Sequence, residues 1–377
     1  MRSAAPVRVT AVRSTSEHRA FWTLPYRLYR HLPHWPAPLR RDERRRWDPE
    51  VNPSLAGRTF RRFVAWRGGT PVGRVVAFVD PAFAGRWGPG TGGFGFFETV
   101  DDGEVAGCLF QAAEQALRAE GVGRVLGPIN LSFHDEMGLL VGGFDAAPSL
   151  LTPFNPGYYG RLVEQCGYRP LFDQHAYQWT LGAALHPAVR RAARRVAAQG
   201  TTVRAFRPGD WEREVRMLHR LYNASFSEAW GFVPISWEDF HTRAREFRAW
   251  YRPELVRIAE ARGRPVGFAL ALPDVSPLLA RVRGRLWPFG APYLVLRIGR
   301  LRQARLMLLG VLPEFTARGV AACLAEDIAA AALRLGFQGG ELSLVHESNR
   351  AIRHVIEACG GVPTKTFRVY AKALEVG

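Results

Sequence analysis

The sequence predicts a mixed α/β chain (α+β) built from two tandem copies of one strand-and-helix unit. Three observations predict it: short stretches recur at a constant spacing, each copy runs through the same alternation of apolar strands and amphipathic helices, and the composition supports real cores. "VTAVR" at Val9–Arg13 matches "VRAFR" at Val203–Arg207, and "TPVGRVVAFVD" at Thr70–Asp80 matches "RPVGFALALPD" at Arg264–Asp274. Asn155 matches Asn349 and Gly167 matches Gly361, every pair lying 194 residues apart. A spacing held from one end of a segment to the other marks a repeat. In the middle it widens to 215, where "AGCLFQAAEQALRAEG" at Ala106–Gly121 matches "AACLAEDIAAAALRLG" at Ala321–Gly336. The second copy thus carries 21 extra residues ahead of this helix, and the first regains them in "GPINLSFHDEMGLLVGGFDAAPSLLTPF", Gly127–Phe154.

Each copy opens on a strand (Val7–Arg13; Thr201–Arg207) and a helix with Ser16 or Asp210 as its N-cap. Two strands around a Gly-rich turn follow, "AWRGGTPVGRVVAF" and "AEARGRPVGFALAL", and then a further apolar strand. The next helix sets Leu324, Ile328, Ala331 and Leu335 on one apolar stripe that suits packing on a sheet. A short strand, "RVLG" or "ELSLV", and a last helix starting near Asn155 or Asn349 complete the unit. "HPAVRRAARRVAAQG", 186–200, reads as a linker helix, so domains of 1–180 and 201–377 are expected around a linker of 181–200.

At 377 residues, with 47% hydrophobic and 12% aromatic content, the chain can bury two cores, which excludes disorder. The N-terminus has no apolar export core, and no window approaches about eighteen uninterrupted apolar residues, so a cytoplasmic address without a membrane span is expected. Cys108, Cys166, Cys323 and Cys359 lie far apart with no paired Cys/His set; buried reduced thiols and no metal site are expected. The net charge of +17 invites a polyanion, but only Lys365 and Lys372 among 51 basic residues are lysines, which reads as an arginine-rich composition. Distribution says more: no acid falls between Asp274 and Glu314, where Arg281, Arg283, Arg285, Arg297, Arg300, Arg302 and Arg305 all lie.

"GVLPEFTARGVAACL", Gly310–Leu324, joins the fourth strand of the second copy to its long helix. Unpaired amides and the positive end of the helix dipole make such a turn a place for phosphate, and Gly319 removes a Cβ from the approach. A plain strand-to-helix turn would also accept these residues. This element order resembles the GCN5-related N-acetyltransferase superfamily, over nearly the whole chain as two tandem domains. The resemblance implies a mixed, largely antiparallel twisted sheet flanked by helices in each. The superfamily's acyl-CoA pattern, Arg/Gln-x-x-Gly-x-Gly/Ala, falls on Thr316–Ala321 with Thr in first place, and Asn349 stands where the family has a late Asn.

The resemblance implies acetyl-CoA or another acyl-CoA as co-substrate and direct transfer to a small-molecule or peptide amine. Phe315, Thr316, Ala317, Arg318, Gly319, Val320 and Ala321 would surround the pyrophosphate, with Asn349 nearby. Amides near Leu309 to Val311 would polarise the thioester carbonyl. An ammonium of ordinary pKa about 10 must also lose a proton. The family's Tyr acid is replaced by Val355 or Ile356, which leaves Tyr370 or water, and the fourth strand "ARLMLLGV" has no carboxylate, which leaves His346, Glu260 and Glu228 as base candidates.

Asn223, Trp230 and Phe232 in "LYNASFSEAWGFVPIS" occupy the loop that lines acceptor pockets in the superfamily; they equally serve as a plug of the domain edge. The first copy concentrates Asn130, Ser132, His134, Asp135, Glu136, Asn155, Tyr158 and Tyr159, while Asp101, Asp102 and Glu104 stand where phosphates would sit. That copy is expected to lack CoA and to shape the acceptor site or a dimer interface. Two other readings stay open: a transferase resembling the Fem-type enzymes that use charged tRNA, which the basic balance suits, and a non-catalytic CoA-binding scaffold.

Overall fold

The computed structural model describes residues 5–180 and 186–375; residues 181–185 of the expected linker lie outside them. The first copy runs β1 (Val7–Ala11), α1 (Thr15–Leu28), α2 (Arg40–Arg45), β2 (Thr59–Arg67), β3 (Thr70–Val79), α3 (Pro81–Trp87), β4 (Thr91–Thr99), α4 (Gly103–Ala119), β5 (Arg124–Gly127), β6 (Leu139–Gly142), α5 (Tyr158–Gln165) and β7 (Arg169–Thr180). The second runs α6 (Pro187–Ala198), β8 (Thr201–Ala205), α7 (Trp211–Ser225), α8 (Trp237–Phe247), β9 (Val256–Ala261), β10 (Arg264–Pro273), α9 (Ser276–Val282), α10 (Gly290–Ile298), β11 (Gln303–Val311), α11 (Val320–Arg334), β12 (Gly339–His346), α12 (Arg350–Ala358) and β13 (Val362–Ala373). The strand-and-helix order repeats as the sequence spacing requires. α9 stands where α3 does in the first copy, and the residues added to the second copy form α10 and its flanks.

Two compact units result. One gathers the described residues of Met1–Gln174, Leu279–Leu286 and Lys365–Gly377, the other His175–Leu278 and Trp287–Thr364. Each copy's final strand is therefore divided between the units, and most of β13 belongs to the first. In the first unit β1 to β4 pair antiparallel, β4 lies parallel to β5, and β13 closes the edge antiparallel to β5, from Tyr370 opposite Gly127 to Ala373 opposite Arg124. In the second, β8 to β11 pair antiparallel and β11 lies parallel to β12. Both sheets are thus mixed and largely antiparallel.

The helices form where sequence supplies caps and an apolar face. The N-cap of α1 is Ser14, two residues before the expected Ser16, because Ser14 and Glu17 make a reciprocal capping box. α4 lays Val105, Leu109, Phe110, Ala113 and Leu117 on the sheet, among Val75, Ala77, Phe94, Val125 and Tyr370. α11 buries Leu324, Ile328 and Ala331, the stripe read from sequence, with Leu335 half-buried at its C-cap. Of the cysteines only Cys323 is buried; the other three are half-buried, and all are free thiols. No helix among the described residues is long and apolar enough to cross a membrane.

Candidate functional site

In the second unit β11 and β12 pair only from Gln303 opposite Gly339 to Leu306 opposite Leu342, yet both run on, to Val311 and His346. Beyond that last pair the strands part. A bulge accompanies the parting: Leu270 faces Leu308 and Ala271 faces Leu306, so Met307 is the extra residue that bends β11. Leu312 donates its N–H to the carbonyl of Val266 on β10 at 2.9 Å. Strand alternation then turns the amides of Leu309 and Val311 to the opposite edge, toward the opening. Past the pairing the two strands read Met-Leu-Leu-Gly-Val and Ser-Leu-Val-His, so the walls are apolar up to His346. At the floor Arg305 bonds Ser343 Oγ at 3.0 Å and Ser343 bonds Glu341 at 2.6 Å, all three buried.

His346 closes the end of β12. Its Nδ1 accepts from the Ser348 amide at 3.1 Å, which leaves Nε2 as the N–H of the neutral ring. Burial pushes its pKa below the usual histidine value against the pull of Glu347, so the ring is neutral at pH 7. The Trp230 ring lies 6.3 Å from it.

The turn after β11 is a 3-10 segment, Pro313–Arg318, and Gly319 follows as the N-cap of α11 with φ +84° and no side-chain cap. Phe315 donates to Leu312 at 2.8 Å, Thr316 Oγ1 to the same carbonyl at 3.4 Å, and the Arg318 guanidinium stands over the Phe315 ring. Ala317 lies within the turn; Val320 is buried and Ala321 half-buried in the first turn of the helix. A Cβ on Gly319 would meet Cγ2 of Val196 on α6 at 3.0 Å, so the glycine serves the helix packing as well as the left-handed turn. The matching helix of the first unit is built the other way. Asp102 caps α4 by accepting from Glu104 and Val105 at 2.9 and 3.3 Å, and Arg67 ties Asp102 and Glu104 together. Burial raises the Asp102 pKa, but Arg67 and the two amides outweigh it and hold it low.

The other sequence candidates are scattered. Asn349 caps α12 through Ile352 at 3.3 Å, and Glu228 is exposed. Glu260 is held by Arg204 at 2.7 Å on β9, with β10 between it and β11. Tyr370 fills the core of the first unit and bonds Glu164 at 3.2 Å. Asn223 pins its loop through both Ile235 main-chain groups at 3.0 Å, and Phe232 is wholly buried against Tyr222 and Phe226. Trp230 alone of that trio faces the end of β12.

In the first unit the candidates do come together, around the end of β4. Asn130 accepts from the Phe96 amide at 2.8 Å; Tyr159 takes the Thr99 amide at 2.9 Å and Tyr158 gives its hydroxyl to the Thr99 carbonyl at 2.8 Å. Gly73 faces Thr99 as Gly267 faces Val311, so Thr99 is the counterpart of Val311. The first unit therefore fills with its own side chains the place that the second leaves open. Sequence reading missed the centre of this cluster, Glu98, which accepts from Tyr29 and, at 2.8 Å, from Tyr159. Arg74 stands 3.7 Å from Glu98 and 3.6 Å from Glu43. Burial drives the Glu98 pKa up to about 7, with Arg74 and both tyrosines pulling the other way. Its signal was legible: it is the lone charge in the strand "TGGFGFFET".

No family model matches the chain. It is 33% identical over 380 residues to the Bacterial ceramide synthase of Caulobacter vibrioides (strain NA1000 / CB15N), with 98% of each chain covered. It is 31% identical over 364 residues to Protein YghO of Escherichia coli (strain K12), covering 94% of this chain and 93% of that one. A tandem GNAT protein from the clavulanic acid biosynthesis pathway superposes over 97% of this chain and 98% of its own, with a TM-score of 0.56 at 12% identity. The chain belongs to the family of these two curated relatives and has the fold of the GCN5-related N-acetyltransferases. In that fold it carries two fourth strands, β4 with Glu98 and β11 with no charged residue after Arg305. The place beside the end of the fourth strand is thus filled by polar side chains in the first unit and left open between apolar strands in the second.

Proposed function

We propose that the protein is an acyl-CoA-dependent N-acyltransferase that joins a fatty acyl group to the amine of a long-chain amino alcohol, making a ceramide-type amide. The observation that carries this is the parting of β11 from β12, with apolar walls and the amides of Leu309 and Val311 turned into it. The uncapped first turn of α11 fits a pyrophosphate, since its amides are not taken by a carboxylate as those of α4 are. Acetyl is the shortest group such a site would take; Met307, Leu308, Leu344 and Val345 favour a longer chain. The name of the 33% identical relative supports the same choice of product class.

In the transfer the amine lone pair attacks the thioester carbonyl, an N–C bond forms, and the C–S bond breaks. The amides of Leu309 and Val311 hold the oxyanion that develops. His346, neutral with its proton on Nε2, is suited to donate a hydrogen bond to the departing thiolate, and the proton that the amine nitrogen loses passes through water to that thiolate, which leaves as the thiol of CoA. The His346→Gln variant should lower kcat by about 100-fold. Purified protein incubated with palmitoyl-CoA or acetyl-CoA and sphinganine, with the amide followed by mass spectrometry, tests the reading. Faster transfer from palmitoyl-CoA is expected; preference for acetyl-CoA, or no amide at all, would overturn it.

A second reading places the chemistry in the first unit, because Glu98, with a pKa of about 7, is poised as a general base on a fourth strand. There α2, with Trp22 and Asp48, lines a cavity of about 470 Å³ through Arg40, Arg41, Arg44 and Arg45, which suits phosphates. Glu98→Gln separates the two: activity retained supports the second unit as the site, and activity lost in a folded variant supports the first.

A further inference from the structure

α10 and the residues leading into it lie in the second unit and are exposed to a degree unmatched among its large apolar side chains. Trp287 is 84% exposed, Phe289 80%, Val295 75% and Leu296 73%. Leu294 is the buried residue of the helix. Phe289, exposed Pro292 and Leu296 fall at i, i+3 and i+7, on the face turned away from Leu294. Four large apolar side chains this exposed within ten residues of one another are what an interaction site leaves on a surface.

The charge around it says which partner. Arg297, Arg300 and Arg302 are all exposed beside the patch, and no acidic residue occurs between Asp274 and Glu314. A protein partner of ordinary composition would leave three arginines to be paired one by one. An anionic bilayer meets both halves at once: Trp, Phe and Leu enter the boundary of headgroups and acyl chains, and guanidinium groups bind lipid phosphates. Trp and Phe at the level of arginine is the arrangement that an interfacial helix uses. The segment also belongs to the residues that the second copy has and the first lacks, so the repeated scaffold does not require it.

We infer that residues 287–302 form a docking surface for the anionic phospholipid face of a membrane, with α10 lying in the interface plane. The inference stands apart from the N-acyltransferase reading, and its test needs no activity. Neither half is sufficient alone, since one short apolar anchor binds marginally and gains its strength from the basic residues.

Co-sedimentation of the full chain with vesicles tests it, using phosphatidylcholine alone or mixed with phosphatidylglycerol. Binding to the mixed vesicles should exceed binding to phosphatidylcholine by at least about tenfold and should fall as salt rises. The Trp287→Ser/Phe289→Ser/Leu296→Ser variant and the Arg297→Gln/Arg300→Gln/Arg302→Gln variant should each lower it by about tenfold or more. All these side chains are exposed, so thermal unfolding should be unchanged, which shows that the variants fold. Equal binding of the folded variants and the wild type overturns the inference. So does sedimentation velocity showing a wild-type dimer that the apolar variant splits while vesicle binding persists, because the patch would then face a second copy.

Discussion

Gly319 holds the start of α11 against α6, with the position of a Cβ only 3.0 Å from Cγ2 of Val196. Gly319→Ala meets both that contact and a φ of +84°, and should cost about 1–3 kcal/mol. In a Val196→Ala background the contact is relieved while the backbone strain persists. A double-mutant cycle by chemical denaturation should show coupling of about 0.5–1 kcal/mol; strict additivity would refute the packing role.

Asp102 does for α4 what Gly319 leaves undone for α11. Asp102→Asn keeps an acceptor for the two amides but loses the charge that Arg67 pairs with, so about 0.5–1 kcal/mol should be lost at pH 7. The native Asp102 pKa is depressed, so its contribution is present above the unfolded value of about 4 and lost as pH falls through the native one. The stability gap between variant and wild type should therefore close in acid. Thermal unfolding from pH 7 to pH 3 checks it.

Glu98 has the opposite sign. Its native pKa is raised to about 7, so the folded state holds a proton that the unfolded state releases near pH 4.3, and stability falls as pH rises between the two. The cost above pH 7 is at most on the order of 4 kcal/mol. Glu98→Gln should remove this fall and be relatively more stable at pH 8 than at pH 5. An unchanged pH profile in denaturant titrations would exclude Glu98 as its source.

Lys372 reaches from β13 to Glu114 on α4 at 2.7 Å and to the Cys166 carbonyl at 2.9 Å. Glu114 is buried, and Lys372→Met leaves it Arg118, at 3.6 Å, as its remaining cation and Tyr168 as a neutral neighbour. A loss of about 2 kcal/mol is expected, and adding Glu114→Gln should recover part of it because no bare carboxylate then stays buried. Urea unfolding of the single and double variants measures this.

The recurring order of strands and helices was legible because each element carries its own apolar periodicity. The grouping of the last strands was not. β7 and β13 read alike, and nothing within either says that Tyr370 fills the first unit while Trp179 bonds the Cys359 carbonyl in the second. Of the loop candidates Trp230 lies beside His346 while Asn223 bonds Ile235 and Phe232 packs on Tyr222, a division that polarity and aromaticity alone do not reveal. Glu98 escaped because its partners Tyr29 and Tyr159 lie 69 and 61 residues away. Gly319 was singled out for the approach of a phosphate, while its left-handed turn and its neighbour Val196 could be learned only from the packed helices.

The placement of β13 sets an order of events on the ribosome. The first unit has Gln174 in hand early, but its sheet edge at β5 and the space for Tyr370 stay unfilled until Lys365 and its successors emerge. At about 5–20 residues per second that wait is roughly 10–40 s. The part of the protein that is made first is the part that is finished last, and in the interval an open strand edge must be shielded from its neighbours.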